Sequence, residues 1–388
     1  MKHIPYGRQY ITDEDINMVV ETLKSDYLTQ GPKIVEFENN FSNYLGCNYT
    51  CMVNNGTAAL HLCAMALDIK EGDKVITTPI TFVASANGFR YMGAEVTFCD
   101  IDPNTHLMDL EKLKTILMDS PKGTYKAVIP VAFAGYPIDE EELHKLSKQY
   151  GFSIVIDACH AIGGSFIDSN GEKQMVGNCK YSDLTVFSFH PVKHIATGEG
   201  GAITTNRKDL FDKLLLYRTH GITKDSEKFV NNNDGGWYYE MQELGYNYRI
   251  TEIQAALGIS QLKRIDWSIE RRNIIANKYD LAFKNINIQT PYRAKNIVHA
   301  FHLYIIEVDS DLRKPLYDYL KENGIFSQVL YIPVHTMPYY QKLGWKNGDF
   351  PISEEYYKHC LALPMYPSLT DEEQNYVIEK VINFINNK

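Results

Sequence analysis

Between about residues 50 and 205, short apolar runs alternate with stretches of helical spacing, and this alternation restricts the chain more than any other feature. The runs at Lys74 to Thr78, Glu95 to Ile101, Tyr125 to Phe133, Phe152 to Asp157, Leu184 to Phe189 and Gly201 to Thr205 predict strands. Ala127-Val128-Ile129-Pro130-Val131 and Ser153-Ile154-Val155-Ile156 lack the polar alternation of a half-exposed sheet. Such strands are expected to be covered on both faces. Leu110 to Leu117 and Asp139 to Tyr150 carry the helical spacing that supplies the cover. The expected fold class is therefore α/β, a mixed but mostly parallel sheet between helices.

At 388 residues the chain exceeds one ordinary core, so two domains are expected, a large one over 1–265 with an N-terminal arm and a small α+β one over 266–388. A long helical pattern from Arg249 to about Asp280 places Ile253, Ala256, Leu257, Ile259 and Leu262 on one side. The polar, Asn- and Gly-rich segment from Tyr217 to Tyr246 reads as a loop at the surface or at a subunit interface. Further on, His302 to Val308 predicts a strand, and Leu312 to Asn323 and Asp371 to Asn387 predict helices.

Charge and cysteine usage exclude several classes of function. A formal net charge of −9 provides no field for nucleic acid, whose non-specific binding needs clustered Lys and Arg. A phosphate-bearing ligand must instead be held locally, by backbone amides at helix starts and a few cations. The seven cysteines are odd in number and scattered without a C-x-x-C pair, which predicts reduced, buried thiols. The opening residues Met1 to Arg8 lack the apolar core of a signal peptide, and no run approaches the ~18 apolar residues of a membrane span. A cytoplasmic protein with no membrane association and no metal site is expected.

Three constellations carry chemistry. In Asn54-Asn55-Gly56-Thr57-Ala58 a Gly-Thr pair opens a helix, where unpaired N–H groups and the positive end of the dipole suit a phosphate monoester. Asp157 stands at the carboxyl end of the most apolar strand, where ligands of open α/β sheets gather. Lys193 lies in the irregular loop Ser188-Phe189-His190-Pro191-Val192-Lys193-His194, flanked by apolar Val192 and Ile195, so that desolvation can lower its pKa and free it as a nucleophile. Singly, each has an ordinary explanation: Thr57 as a helix cap, Asp157 as the cap of the next helix, Lys193 as a surface lysine. Jointly they supply what pyridoxal phosphate requires, namely a phosphate anchor, an acid at the pyridine nitrogen and a covalent amine that doubles as a base.

The segments Thr78-Pro79-Ile80-Thr81-Phe82-Val83-Ala84, Asp157-Ala158-Cys159-His160, Ser188 to Gly201 and Gly245-Tyr246-Asn247-Tyr248-Arg249 resemble, in order and spacing over roughly residues 6 to 270, the sugar aminotransferase family often called DegT, of the aspartate aminotransferase fold type. The resemblance implies that Gly56 and Thr57 hold the cofactor phosphate with the Ser188 hydroxyl, that Phe82 stacks on the ring, and that Asp157 meets the pyridine nitrogen. It further implies His160 near the ring hydroxyl, Lys193 as the cofactor-bearing lysine, and Asn247 reaching the phosphate of the neighbouring subunit of a homodimer. For the nucleotide-linked keto-sugar it points to Tyr6, to Asp26, Tyr27, Leu28 and Thr29, and to His302 and Tyr331.

Within the family the phrases Pro79 to Asn87, Ala132 to Pro137 and Ser188 to His194 are most similar to the branch of pseudaminic acid synthesis. That branch aminates carbon 4 of a UDP-linked 4-keto-6-deoxy-N-acetyl hexose, with L-glutamate as the expected donor. Members acting on GDP- or TDP-linked keto-sugars, as in the perosamine branch, share nearly the same cofactor residues. Three rival functions fit the residues less well. A deoxygenating variant carries His in place of the lysine, but position 193 is Lys. A non-catalytic regulator would have no physical need for Asp157 and Lys193. A cysteine desulfurase needs a mobile, exposed thiol, whereas Cys159 beside Asp157 is expected to pack under the ring.

Overall fold

The computed structural model describes residues 3–232 and 234–388. Seven strands form the central sheet: β1 (Tyr49–Val53), β2 (Lys74–Thr77), β3 (Glu95–Phe98), β4 (Tyr125–Ile129), β5 (Ser153–Asp157), β6 (Leu184–Ser188) and β7 (Gly201–Thr205). Their order across the sheet is β1-β7-β6-β5-β4-β2-β3. All neighbours are parallel except β7, which runs antiparallel to both β1 and β6. Adjacent residues of one strand feed two different cores. Ile154 and Ile156 of β5 and Val128 of β4 join the cluster on one face, while Val155, Ala127 and Ile129 join the cluster on the other. With both faces apolar, no polar alternation is needed, which is why the runs are continuous.

Three expectations are corrected in detail. The run from Tyr125 to Phe133 ends as a strand at Ile129, because Pro130 has no N–H to give the ladder; the next residues turn through Phe133–Gly135 with Ala134 at φ 56° and Gly135 at φ 101°. β1 escaped the sequence reading, since Cys51 and Met52 interrupt its β-branched character. The single long helix expected at 249–280 is two, Glu252–Leu262 and Ile265–Phe283; the apolar phase continues across the turn at Lys263 and Arg264, so the pattern does not reveal the break. Burial in the first of them is wider than one stripe: Ile253 and Leu257 are half-buried, and Gly258 lies so close to Phe37 that a Cβ there would meet its ring at 2.3 Å.

The polar segment at 217–246 lies at the surface, as expected of its described residues; Asn233 lies outside them. It carries the small hairpin Ile222–Thr223 with Glu240–Met241 and exposes Val230, Trp237 and Leu244. In the last third, β8 (Tyr304–Glu307) and β9 (Cys360–Leu363) pair antiparallel. The helices Ser310–Glu322 and Asp371–Asn386 pack with them around a third apolar cluster. The N-terminal arm reaches this region: Ile4 and Pro5 pair in parallel with Ile325 and Phe326, and the Met365 N–H donates to the Tyr6 carbonyl at 2.9 Å. Those bonds hold Tyr6 over the sheet. Among the described residues, no helix is long and apolar enough to cross a membrane.

Candidate active site

β1, β5 and β6 are parallel, so their carboxyl ends open on one edge of the sheet, the edge where α/β proteins bind ligands. A cavity of about 740 Å³ lies there. Its corner is formed by α1 (Gly56–Ala66), entered directly from β1. The cap of this helix is Asn55, whose Oδ1 accepts from the Ala58 N–H at 2.8 Å, which corrects the alternative reading of Thr57 as cap. Gly56 and Thr57 are the first helical residues, and no intrahelical carbonyl reaches their N–H groups. Glycines keep this corner tightly closed. A Cβ on Gly56 would stand 3.1 Å from Ser188 Cβ and 3.4 Å from Cys159 Sγ, and one on Gly201 would meet the Asn55 carbonyl at 2.8 Å.

The carboxylate of Asp157 is 5% exposed and forms part of the cavity wall. Ser85 Oγ donates to its Oδ2 at 2.5 Å, the Cys159 N–H donates to its Oδ1 at 3.1 Å, and Ser85 in turn lies 2.6 Å from Thr81 Oγ1. These bonds fix the acid's direction. Lys193 lines the same cavity with its Nζ 3.4 Å from His302 Nε2. Burial brings its amine down to about 8, against the opposing pull of Cys159 and Asp157, so a substantial fraction is free base near neutrality.

His160 accepts the Ala134 N–H at Nδ1, 3.2 Å away, and burial together with the Lys193 charge keeps its ring neutral. Its proton therefore sits on Nε2, facing the Tyr331 hydroxyl at 3.2 Å. Phe82, 57% exposed, stands at the mouth with its ring 6.3 Å from that of Tyr331, leaving an aromatic face open to a planar ligand. Burial and Asp157 raise the Cys159 thiol well above its ordinary range, the opposite of what a sulfur-transferring cysteine needs.

Of the residues expected from sequence, Gly56, Thr57, Phe82, Asp157, His160, Ser188 and Lys193 converge on this cavity, with Tyr6, His302 and Tyr331. The others do not line it. Asp26, Tyr27, Leu28 and Thr29 are exposed, tied to the start of the helix at 252 by the Glu252 N–H to the Leu28 carbonyl and a Thr29–Thr251 bridge. Asn247 is exposed and paired with Thr219. Sequence reasoning missed Thr81 and Ser85, whose spacing of four was the available signal. It also missed Tyr91 and Tyr248, which line the cavity; Tyr248, whose hydroxyl lies 3.1 Å from His61 Nδ1, stands in the 245–249 motif, which was the available signal, whereas no local motif announces Tyr91.

The donor set fits pyridoxal phosphate. Two helix-start N–H groups and the Ser188 side chain meet at one corner, an oriented carboxylate lies in the wall, and an amine whose pKa is lowered to about 8 stands nearby. Sheet order and cavity together define the class of pyridoxal-phosphate-dependent transferases of the aspartate aminotransferase fold type. The chain belongs to the DegT/DnrJ/EryC1/StrS aminotransferase family, whose model matches residues 9–382.

Among its relatives are the spore coat polysaccharide biosynthesis protein SpsC of Bacillus subtilis, 39% identical over 98% of this chain and 97% of the relative. The UDP-4-amino-4,6-dideoxy-N-acetyl-beta-L-altrosamine transaminase of Campylobacter jejuni is 34% identical over 98% of this chain and 97% of its own length. The GDP-perosamine synthase of Escherichia coli O157:H7 is 33% identical over 100% of both chains. Among solved structures, PseC of Helicobacter pylori, an aminotransferase of pseudaminic acid biosynthesis, superposes with a TM-score of 0.89 at 29% identity over 100% of both chains. The PLP-form of the sugar aminotransferase Spr1654 of Streptococcus pneumoniae reaches 0.90 at 29% identity over 99% of both chains.

Proposed function

We propose that the protein transfers an amino group from L-glutamate to carbon 4 of a UDP-linked 4-keto-6-deoxy-N-acetyl hexose, using pyridoxal phosphate. The observation that carries this reading is the convergence of the Lys193 amine, the Asp157 carboxylate and the open start of α1 on one cavity. In the bound state the cofactor ring acts as an electron sink for the pair released when a substrate C–H bond breaks. The chain's own residues do the rest. Lys193 would hold the cofactor through Nζ and, as a free amine, would take or return the proton at the substrate carbon. Asp157, fixed by Ser85, holds a proton at the pyridine nitrogen. The Gly56 and Thr57 N–H groups and the Ser188 hydroxyl bind the phosphate, His160 orients the ring hydroxyl, and Phe82 covers the ring face.

Tyr6, His302 and Tyr331 stand where a sugar would enter. Asn247 and the stretch from Asp26 to Thr29, exposed on a single chain, are read as contributions to the cavity of a second copy in a homodimer. The site of action is read as the cytoplasm. The Campylobacter and Helicobacter relatives support the UDP sugar, and the perosamine synthase supports the GDP sugar as the rival. The deciding experiment incubates purified protein and L-glutamate with UDP-, GDP- and TDP-linked 4-keto-6-deoxy sugars and reads amination by mass spectrometry. Amination of the UDP-N-acetyl sugar alone is expected, and a clear preference for the GDP sugar would move the protein to the perosamine branch.

A further inference from the structure

His302 reaches Lys193 across 109 residues of sequence, and its place depends on two interlocked turns. The Ala300 N–H donates to the Gly135 carbonyl at 2.8 Å, and the Leu303 N–H to the Ala134 carbonyl at 3.2 Å. Both turns are strained. Ala134 and Phe301 have φ of 56° and 45°, a region costly for residues bearing a Cβ. Gly135 admits no side chain, because a Cβ would lie 2.8 Å from the His160 carbonyl and 3.0 Å from the His302 nitrogen.

Arg272 underpins the clasp. It is fully buried, forms no ion pair among the described residues, and gives Nη1 to the carbonyls of Phe301 at 2.9 Å and Met365 at 3.1 Å. A buried guanidinium devoted to carbonyls is an unfavourable way to hold an ordinary turn. Strain of this kind persists where a side chain must be aimed.

We infer that His302 is a positioning residue for Lys193: its Nε2 accepts a hydrogen bond from the Lys193 amine, and the strained clasp with Arg272 serves to keep the imidazole there. The inference rests on the reading of Lys193 as the cofactor-bearing lysine. The groups facing the pair are Asp157 and Cys159 on the lysine side, and His160, His194 and Arg272 on the histidine side. Burial and the nearby cations keep His302 neutral, and burial is likewise the main cause that keeps His160 and His194 neutral. A neutral ring beside an ammonium group makes its stronger bond as acceptor. Its own proton then lies on Nδ1, which has no hydrogen-bond partner among the described residues, so no other described residue fixes the ring's polarity.

The test follows acylation of Lys193 by acetic anhydride as a function of pH, read by peptide mass spectrometry on the full chain in its pyridoxamine-phosphate form. The wild-type midpoint is expected at about 8. In His302→Leu the midpoint should fall by about one pH unit, a tenfold gain in free base, because the acceptor for the ammonium is gone. His302→Gln, whose amide oxygen takes the place of Nε2, should return it to within a few tenths. The leucine variant should lose kcat by a larger factor than it raises KM for the sugar nucleotide. An unmoved midpoint in His302→Leu, or a raised KM with an unmoved midpoint, overturns the inference and leaves His302 to the substrate. Borohydride reduction of the same variants separates the two readings. A label at Lys193 upholds the cofactor assignment whatever the midpoint does, and a label elsewhere in the wild type removes the footing of both.

Discussion

Replacing Gly56 by Ala separates the cavity's corner from the fold that carries it. Gly56 is the first residue of α1 and is absent from the positions with positive φ, so alanine fits the backbone and restricts the unfolded chain, a gain of about 0.4–1 kcal/mol. Against this, the new Cβ stands 3.1 Å from Ser188 Cβ and 3.4 Å from Cys159 Sγ. That first contact is a few tenths of an ångström too tight and costs a similar amount. The net change in stability is therefore within about 1 kcal/mol, or a few degrees in Tm.

Binding responds differently. The methyl group occupies the corner where, on the proposed reading, the Gly56 and Thr57 N–H groups and the Ser188 hydroxyl would meet a phosphate, and loss of one charge-assisted bond costs about 1.5–3 kcal/mol. Cofactor affinity should fall by roughly 10- to 150-fold. Titration of the apoprotein with pyridoxal phosphate, followed by absorbance, and a thermal melt of the same sample measure both quantities. A variant that binds within threefold of wild type would refute the phosphate cradle, whether or not its Tm had changed.

Three further perturbations probe separate parts of the account. Asp157→Asn keeps a partner for Ser85 and should still bind cofactor, but it should lose turnover on the order of 100-fold or more, measured as steady-state kcat, because the acid at the ring nitrogen is gone. Glu140 is fully buried and its carboxyl is pushed up to about 8 by desolvation. Between its ordinary value near 4.5 and about 8 the unfolded chain releases a proton that the folded one retains, so stability falls as pH rises through that window. Glu140→Gln should flatten that fall, and parallel melts at pH 5 and pH 8 that stay equally far apart in both proteins would contradict it. The buried Glu252 carboxylate accepts the N–H groups of Gly31, Lys33 and Ile34 at 2.8–3.1 Å. Glu252→Gln should lower stability by about 1–3 kcal/mol in urea unfolding, since one oxygen becomes a donor facing donors.

The sequence made legible what depends on local pattern. β4 and β5 were readable because both their faces are buried. Asp157 and Lys193 were readable because a strand end and an irregular loop give those residue types an unusual setting. Features that depend on distant partners were not. Ser85 aims Asp157 across 72 residues, and the clasp of Ala134, Gly135 and Phe301 exists only once two turns meet. His302 carried a substrate role by resemblance, although in the structure its Nε2 lies 3.4 Å from the lysine amine. The break at Lys263 and Arg264 was hidden because Leu262, Ile265 and Ile269 keep one apolar phase through the turn. Asp26 to Thr29 and Asn247 lie outside the cavity, and local pattern does not tell a residue beside a cavity from one exposed elsewhere on the chain.

The central claim is that one amine, that of Lys193, holds the cofactor opposite Asp157. Borohydride reduction of the purified protein after incubation with pyridoxal phosphate, followed by proteolysis and peptide mapping, tests it directly. The account predicts a single stable phosphopyridoxyl adduct on the peptide containing Lys193. An adduct on any other lysine, or none, would contradict it.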